Sequence, residues 1–279
     1  MSGRVCVVTG ASSGIGRATA QALARLGATL ALVCRDRGRG EETLAALRAE
    51  SSAAAVALFL ADLSSRAEIR RLAAELGERY PAIHVLVNNA GVINLRRSTT
   101  VDGIETVFAV NHLAYFLLTH LLVARLRASA PARIVNVASD AHRFGRIDLG
   151  DLGHARRYRA MRVYGTSKLA NILFTYELAR RLDGTGVTAN CLHPGAVATG
   201  LGRNNGRLAT AVTGLLRPFF RTPEQGAATV IYLASSPAVE GVSGKYFVDC
   251  REARSSGVSY DESLARHLWD ASARLSGIE

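Results

Sequence analysis

The sequence predicts a doubly wound α/β fold: one Rossmann-type domain over residues 1–279, with about seven parallel strands flanked by helices on both faces. Three observations lead there. Apolar runs of strand length alternate with helical stretches, the first run opens into a glycine-rich turn, and no repeat or low-complexity segment interrupts the order. Strands that are apolar at most positions belong to a sheet covered on both sides.

The first strand is Val5 to Val8, and it runs into TGASSGIG from Thr9 to Gly16 and then a helical pattern that ends at Gly27. Glycines at 10, 14 and 16 permit backbone conformations and close approaches that side chains would block, and free N–H groups at a helix start favour a pyrophosphate. The spacing is G-x-x-x-G-x-G rather than the common G-x-G-x-x-G, and glycine turns also merely connect elements. The strand before the turn and the helix after it are what give it weight.

Further strands are read at Thr29 to Cys34, Val56 to Leu60, Val85 to Val87, Arg133 to Val137, Thr188 to Leu192 and Lys245 to Val248. Helices between them are read at Gly38 to Ala49, Arg66 to Tyr80, Ile104 to Arg127, Tyr164 to Leu182 and Glu224 to Ala234. Residues 251–279 form an extension, polar apart from Leu264, Leu268, Trp269 and Leu275, which suggests one short helix docked on the body. Residues 206–221 carry Leu208, Val212, Leu215 and Phe219 at helical steps. That stripe is open to three readings: a substrate lid, a core-packing helix or a membrane-surface contact.

At 48% hydrophobic, the 279 residues can bury a sizeable core. The chain is read without a membrane span or signal peptide, so a soluble, cytoplasmic protein is expected. Cys6, Cys34 and Cys191 fall inside strands and Cys250 just after one, without C-x-x-C spacing, so reduced thiols are expected. The seven histidines lack ligand spacing, and no metal is assigned. Net charge is +11, from 34 Lys and Arg against 23 Asp and Glu. The basic residues are spread over helices with no arginine-rich tail, so nucleic acid is not an expected partner.

The chemistry-bearing pair is Tyr164 and Lys168, four residues apart in VYGTSKLANILF and hence on one helix face. A phenol with a pKa near 10 is a poor acid or base at neutral pH. One unit charge at about 4 Å is worth roughly 4 kcal/mol at an effective dielectric of 20, enough to move the phenol by about two to three pKa units. Y-x-x-x-K also arises by chance, so the rest of the chain has to decide.

Over nearly its whole length the chain resembles the classical short-chain dehydrogenase/reductases. The matching motifs are TGASSGIG, Asp62-Leu63, NNAG from Asn88 to Gly91, Asn111, Ser139, the Tyr164 to Lys168 motif, and Pro194-Gly195 followed by Val197 and Thr199. SDAHRFGRIDL, YGTSKLANILF and NCLHPG are similar to the retinol-dehydrogenase-like branch in particular. The resemblance implies an oxidoreductase that moves a hydride between a nicotinamide and an alcohol or carbonyl carbon of a hydrophobic small molecule, retinol-, steroid- or polyketide-like. Tyr164 would be the proton donor or acceptor, Lys168 would lower its pKa and bind the nicotinamide ribose, and Ser139 would hold the substrate oxygen. Asn111 would bend its helix and anchor a water that relays protons through Lys168.

For the cofactor, the resemblance implies contacts from Gly10, Ser12, Ser13, Gly14, Ile15, Gly16, Arg35, Asp62, Leu63, Asn88, Ala90, Gly91, Tyr164, Lys168, Pro194, Gly195, Val197 and Thr199. Arg35, just past the second strand, is at the position that resembles NADP-preferring members, so NADP(H) is favoured, with NAD(H) possible. Asp36 beside it is open to three roles: facing solvent, capping the next helix, or accepting from the ribose 2′-OH of NAD. Ser139 and Tyr164 are 25 residues apart, about twice the common spacing, so Asp140 to Val163 is expected to make an exposed, arginine-rich excursion. The family commonly pairs the helices read at Ile104 to Arg127 and Tyr164 to Leu182, so a homodimer or homotetramer is expected. Two other readings are weighed: a catalytically silent relative on the same fold that senses dinucleotide or binds protein, and a sugar-nucleotide epimerase or dehydratase, which also uses Y-x-x-x-K. Silent relatives usually lose the tyrosine or lysine; epimerases carry a larger C-terminal domain and a different glycine spacing.

Overall fold

The computed structural model describes residues 1–50, 55–197 and 220–278. Thr199 and most of the lid candidate at 206–221 lie outside the described residues. In chain order the elements are β1 (Val5–Thr9), α1 (Gly14–Arg25), β2 (Thr29–Cys34), α2 (Arg37–Glu50), β3 (Val56–Leu60), α3 (Arg66–Arg79), β4 (Val85–Asn88), α4 (Thr106–Ala128), β5 (Ala132–Val137), α5 (Ala160–Arg181), β6 (Val187–His193), α6 (Pro223–Ser235), β7 (Tyr246–Val248), β8 (Arg251–Ala253) and α7 (Glu262–Ser276).

The strands form one sheet in the order β3-β2-β1-β4-β5-β6-β7-β8. The expectation of about seven strands is corrected to eight: β1 to β7 are parallel, and β8 turns back antiparallel on β7. Period-two alternation sends neighbouring residues to opposite faces, and β1 shows it directly. Cys6 and Val8 pack with Ile15 and Leu23 of α1, Leu47 of α2 and Val230 of α6, whereas Val7 packs with Leu72 of α3 and Phe116 of α4. Because β1 lies between β2 and β4, the strand order reverses there and a crevice opens beyond their C-terminal ends.

Helix boundaries follow local chemistry. Ser65 caps α3 by accepting from Glu68 N, and a capping box between Thr222 and Gln225 with Pro223 at the first position starts α6. Asp261 caps α7, and Gly277, at φ 63°, ends it. The extension is more than one short helix, since it supplies β8 and the 15 residues of α7. Trp269 of α7 sits 4.9 Å from the Phe116 ring of α4 and 5.7 Å from the Phe174 ring of α5, under the Arg181 guanidinium at 4.2 Å. Thus α7 lies across the two helices expected to pair between copies.

A second correction concerns α4. Thr106 to Ala124 carries no Asp, Glu, Lys or Arg, and among the described residues α4 is long and apolar enough to cross a membrane. Within the fold, 78% of its most apolar window is buried, so the hydropathy is that of a core helix.

Candidate active site

A cavity of about 370 Å³ opens at the crevice beyond β1 and β4. Gly10 to Ile15 form one wall, Arg35, Asp36 and Arg39 one end, and Ser139, Tyr164 and Lys168 the other, with Pro194 to Val197 and Phe220 above. The fold thus gathers segments that the sequence holds far apart. Of the expected residues, Ser12, Ser13, Gly14, Asp62, Leu63, Ala90, Gly91 and Gly195 also line it.

The cavity fits a dinucleotide on its own geometry. Ser13 makes no side-chain cap on α1, which leaves the first N–H groups of that helix for an anion. Gly10, at φ 67°, brings backbone against backbone: a Cβ there would stand 2.9 Å from Ala90 Cα. A Cβ on Gly16 would overlap the Gly10 carbonyl and stand 2.5 Å from Asn89 Nδ2. Gly16 therefore shapes the turn from behind rather than lining it.

Two other expected residues also sit behind the wall. Asn88 is buried, and its Nδ2 donates to Thr119 Oγ1 at 3.0 Å and Asn136 Oδ1 at 2.9 Å, tying β4 to α4 and β5. Its neighbour Asn89, part of the NNAG motif but not among the expected cofactor contacts, lines the cavity and donates to Thr9 O at 2.8 Å. Strand alternation was the signal: β4 ends at Asn88, and the next side chain faces the other way. Sequence reasoning also missed Arg39 and Phe220.

Asn111 is fully buried in a wide π-turn, Ala109–Leu113, within α4. Such turns often mark functional sites. Its Oδ1 accepts from Val92 N at 2.8 Å while its Nδ2 donates to Val92 O and to Ser167 Oγ, each at 3.0 Å. Its carbonyl accepts from Asn171 Nδ2 at 2.8 Å, which leaves a second lone pair. A buried chain continues outward, with His112 bonded to Asn171 Oδ1 at 3.2 Å and Ser272 Oγ at 2.9 Å. Desolvation holds His112 down to about 4, so it is neutral. Glu105 starts α4, its two carboxylate oxygens accepting from Val107 N at 2.9 Å and Phe108 N at 2.7 Å.

Tyr164 and Lys168 share one face of α5, as the spacing requires. Lys168 Nζ donates to Val137 O at 2.8 Å and lies 5.7 Å from the Tyr164 ring centroid. The electrostatics run against the sequence expectation. Burial pushes Tyr164 up to about 12, which the Ser139 hydroxyl bonded to it only partly offsets, and burial pulls Lys168 down to about 7. Removing both groups from water favours both neutral forms, so at neutral pH the proton rests on the phenol. Such a phenol can donate to an oxygen placed between it and Ser139.

Ser139 lines the cavity and also caps the short helix Asp140–Phe144, accepting from Ala141 N at 3.2 Å. Beyond it, the expected excursion is exposed at Arg156, Arg157 and Arg159 but anchored elsewhere. Leu152 is buried with Phe108 and Leu169, and Tyr158 donates to Asn94 O at 2.9 Å.

At the other end, Asp36 is engaged with α2: its Oδ1 accepts from Arg39 N at 2.9 Å, which lowers its pKa. Arg35 and Arg39 flank it on the cavity. The four cysteines are free, and burial pushes the thiols of Cys34 to about 11 and of Cys6 and Cys191 to about 12, where they are unreactive.

The short chain dehydrogenase family model matches residues 4–208. The chain is 48% identical over 296 residues to retinol dehydrogenase 14 of Mus musculus, covering 100% of this chain and 87% of that protein. It is 45% identical over 277 residues to retinol dehydrogenase 12 of Mus musculus, covering 99% and 87%. Among solved structures it is similar to the Pseudomonas aeruginosa RhlG/NADP active-site complex, at 32% identity and a TM-score of 0.70 over 88% of this chain and 94% of that one.

Proposed function

Because the chain belongs to the short-chain dehydrogenase family, on its retinol-dehydrogenase-like side, and is a dehydrogenase/reductase acting on CH–OH donors, we propose that it is an NADP(H)-dependent reductase of hydrophobic carbonyl compounds. One observation carries this reading. A cavity lined by the glycine turn and by Arg35 also takes in a half-buried Tyr164 beside Ser139 and Lys168, the phenol's pKa raised by desolvation.

A nicotinamide held at that end supplies hydride chemistry. Gly10 to Ile15 would hold the pyrophosphate at the start of α1, Asp62 and Leu63 would hold the adenine, and Asn89 to Gly91 would support the middle. Lys168 would donate to the ribose, and Pro194 to Val197 would hold the carboxamide side; the sequence expectation adds Thr199, which lies outside the described residues. Ser139 and Tyr164 converge on the substrate oxygen, where negative charge develops, and Tyr164 delivers its proton there. Val92, Val137, Val197 and Phe220 on the walls favour an apolar substrate. The names of the relatives support a retinol-like alcohol or its aldehyde; steroids and polyketides share that chemistry. The lid candidate at 206–221 belongs to the same proposal.

With its pKa raised, Tyr164 is ready to donate and must first lose a proton to accept one. Carbonyl reduction is therefore expected to be flat across neutral pH, while alcohol oxidation climbs by about tenfold per pH unit toward the alkaline side. Separate kcat profiles for the two directions check this; parallel profiles would count against it.

NADP(H) preference is supported by the far end, where Arg35 and Arg39 can pair with a 2′-phosphate while Asp36 is spent on α2. Arg35→Ala and Arg39→Ala are each expected to raise the KM for NADPH by about tenfold or more, the loss of one charge-assisted contact, with little change for NADH. Equal effects on both cofactors would remove the assignment. The whole reading is tested by screening retinal, aliphatic aldehydes and ketosteroids with NADPH and NADH at the reduced-nicotinamide absorbance. Dinucleotide binding without turnover of any of them would favour the silent, sensing alternative. The proposal places the chain in the cytoplasm, where its free thiols suit a reducing compartment. A homodimer or homotetramer through α4 and α5 would have to form around α7.

A further inference from the structure

One peptide group in the site is gripped from both edges by imidazoles. The carbonyl of Ser139 accepts from His142 Nδ1 at 2.8 Å and from His142 N at 3.1 Å. The N–H on the other side of the same peptide, that of Asp140, donates to His193 Nδ1 at 3.1 Å. His142 is fully buried, and its Nε2 accepts from Ser256 N at 3.0 Å, in the segment after β8. These partners fix both tautomers. His142 carries its proton on Nδ1, and His193 carries its proton on Nε2.

We propose that His142 and His193 are positioning residues, a two-sided clamp whose grip on the Ser139–Asp140 peptide aims the Ser139 hydroxyl at the substrate oxygen and is released when either imidazole is protonated. The orientation of that peptide plane is the ψ of Ser139, 154°, and so determines how its Cβ and hydroxyl stand relative to Tyr164. An imidazolium has two donors and no acceptor, so protonated His142 faces the Ser256 N–H donor to donor, and protonated His193 faces the Asp140 N–H likewise. The surroundings are named readily. Asp140 and Arg143 face His142 from its own turn, and the Tyr246 ring of β7 stands edge-on at 5.4 Å. Asp140, Arg221, Asp249 and His142 face His193, with Arg221 and Asp249 paired to each other. Burial is the largest influence on both and lowers both pKa values below the ordinary histidine range. The clamp is closed at neutral pH and opens in acid.

This inference rests on the role of Ser139 given above, and the test separates the two. In the full chain, H142L and H193L are expected to lower kcat by about tenfold or more, the cost of a misplaced group, while the dissociation constant for NADPH, read by its fluorescence, stays within about twofold. The double variant H142N/H193N keeps an amide donor toward Ser139 O and an amide acceptor toward Asp140 N but cannot titrate. It is expected to recover most of kcat at pH 7 and to lose the acid limb of the wild-type profile. Wild-type kcat in both leucine variants, loss of NADPH affinity in parallel with kcat, or an unmoved acid limb in the double variant would each overturn the clamp. If the leucine variants fail to fold, the double variant's pH profile decides alone. S139A tests the underlying assignment: full turnover there removes the role of Ser139, whereas an inactive S139A with wild-type-like H142L removes only the clamp.

Discussion

Tyr164→Phe is expected to reduce kcat for carbonyl reduction by between about a hundredfold and ten-thousandfold, the range lost with a positioned general acid. The ring stays where it packs, because phenylalanine differs only by the hydroxyl, and Lys168 keeps its bond to Val137 O. Dinucleotide affinity is therefore expected to be preserved, and a fluorescence titration with NADPH alongside stopped-flow turnover reads both quantities from one preparation. The contrast is informative because Tyr164 lines the cavity with its pKa raised, so the phenol holds its proton at neutral pH. Its removal takes away the proton source beside Ser139. If Tyr164→Phe turned over at the wild-type rate, the proton would have to come from elsewhere, and the assignment of this end of the cavity would fall.

Gly16→Ala is expected to do its damage at the opposite end. The added methyl would overlap the Gly10 carbonyl and crowd Asn89 Nδ2 at 2.5 Å, and both line the cavity proposed to hold the dinucleotide. Neither neighbour is a flexible side-chain tip, since the Asn89 amide is held by Thr9 O. Overpacking of this kind costs about 1–3 kcal/mol, which for a domain of this size lowers the melting temperature by roughly 2–5 °C. Affinity for NADPH is expected to fall by about tenfold or more, since about 1.4 kcal/mol lost from the bound geometry already amounts to tenfold. Gly257→Ala is the control, because nothing lies within 4 Å of its would-be Cβ and its φ is ordinary. A Gly16→Ala protein with unchanged melting and affinity would show that the turn tolerates expansion and would weaken the cavity's assignment.

Much of this was legible in the chain for physical reasons. β1 to β6 are apolar nearly throughout because both faces of a parallel sheet are covered, and that pattern survives in sequence. β8 left no such trace: Arg251 and Glu252 are exposed, and only the antiparallel pairing with β7 makes the three residues a strand. Motif spacing named many of the residues that line the cavity, but which side chains face it was not always readable. Asn88 and Asn89 are identical in chemistry, and the last residue of β4 decides between them. The electrostatics were the least legible. Four residues on a helix put Lys168 near Tyr164, yet spacing is silent about desolvation, which is the largest influence on both groups. Likewise, Asp36 could be assigned to α2 only once its bond to Arg39 N was in view.

The helix laid over Phe116 and Phe174 gives the chain an internal chaperone for its own stickiest side. A copy truncated before Asp261 would bare a slab of aromatic surface and strip the outer partner, Ser272, from the buried histidine behind Asn111. Such a truncation is expected to cause clumping of the polypeptide before any question of turnover arises, and its rescue would come from supplying the missing segment in trans as a peptide.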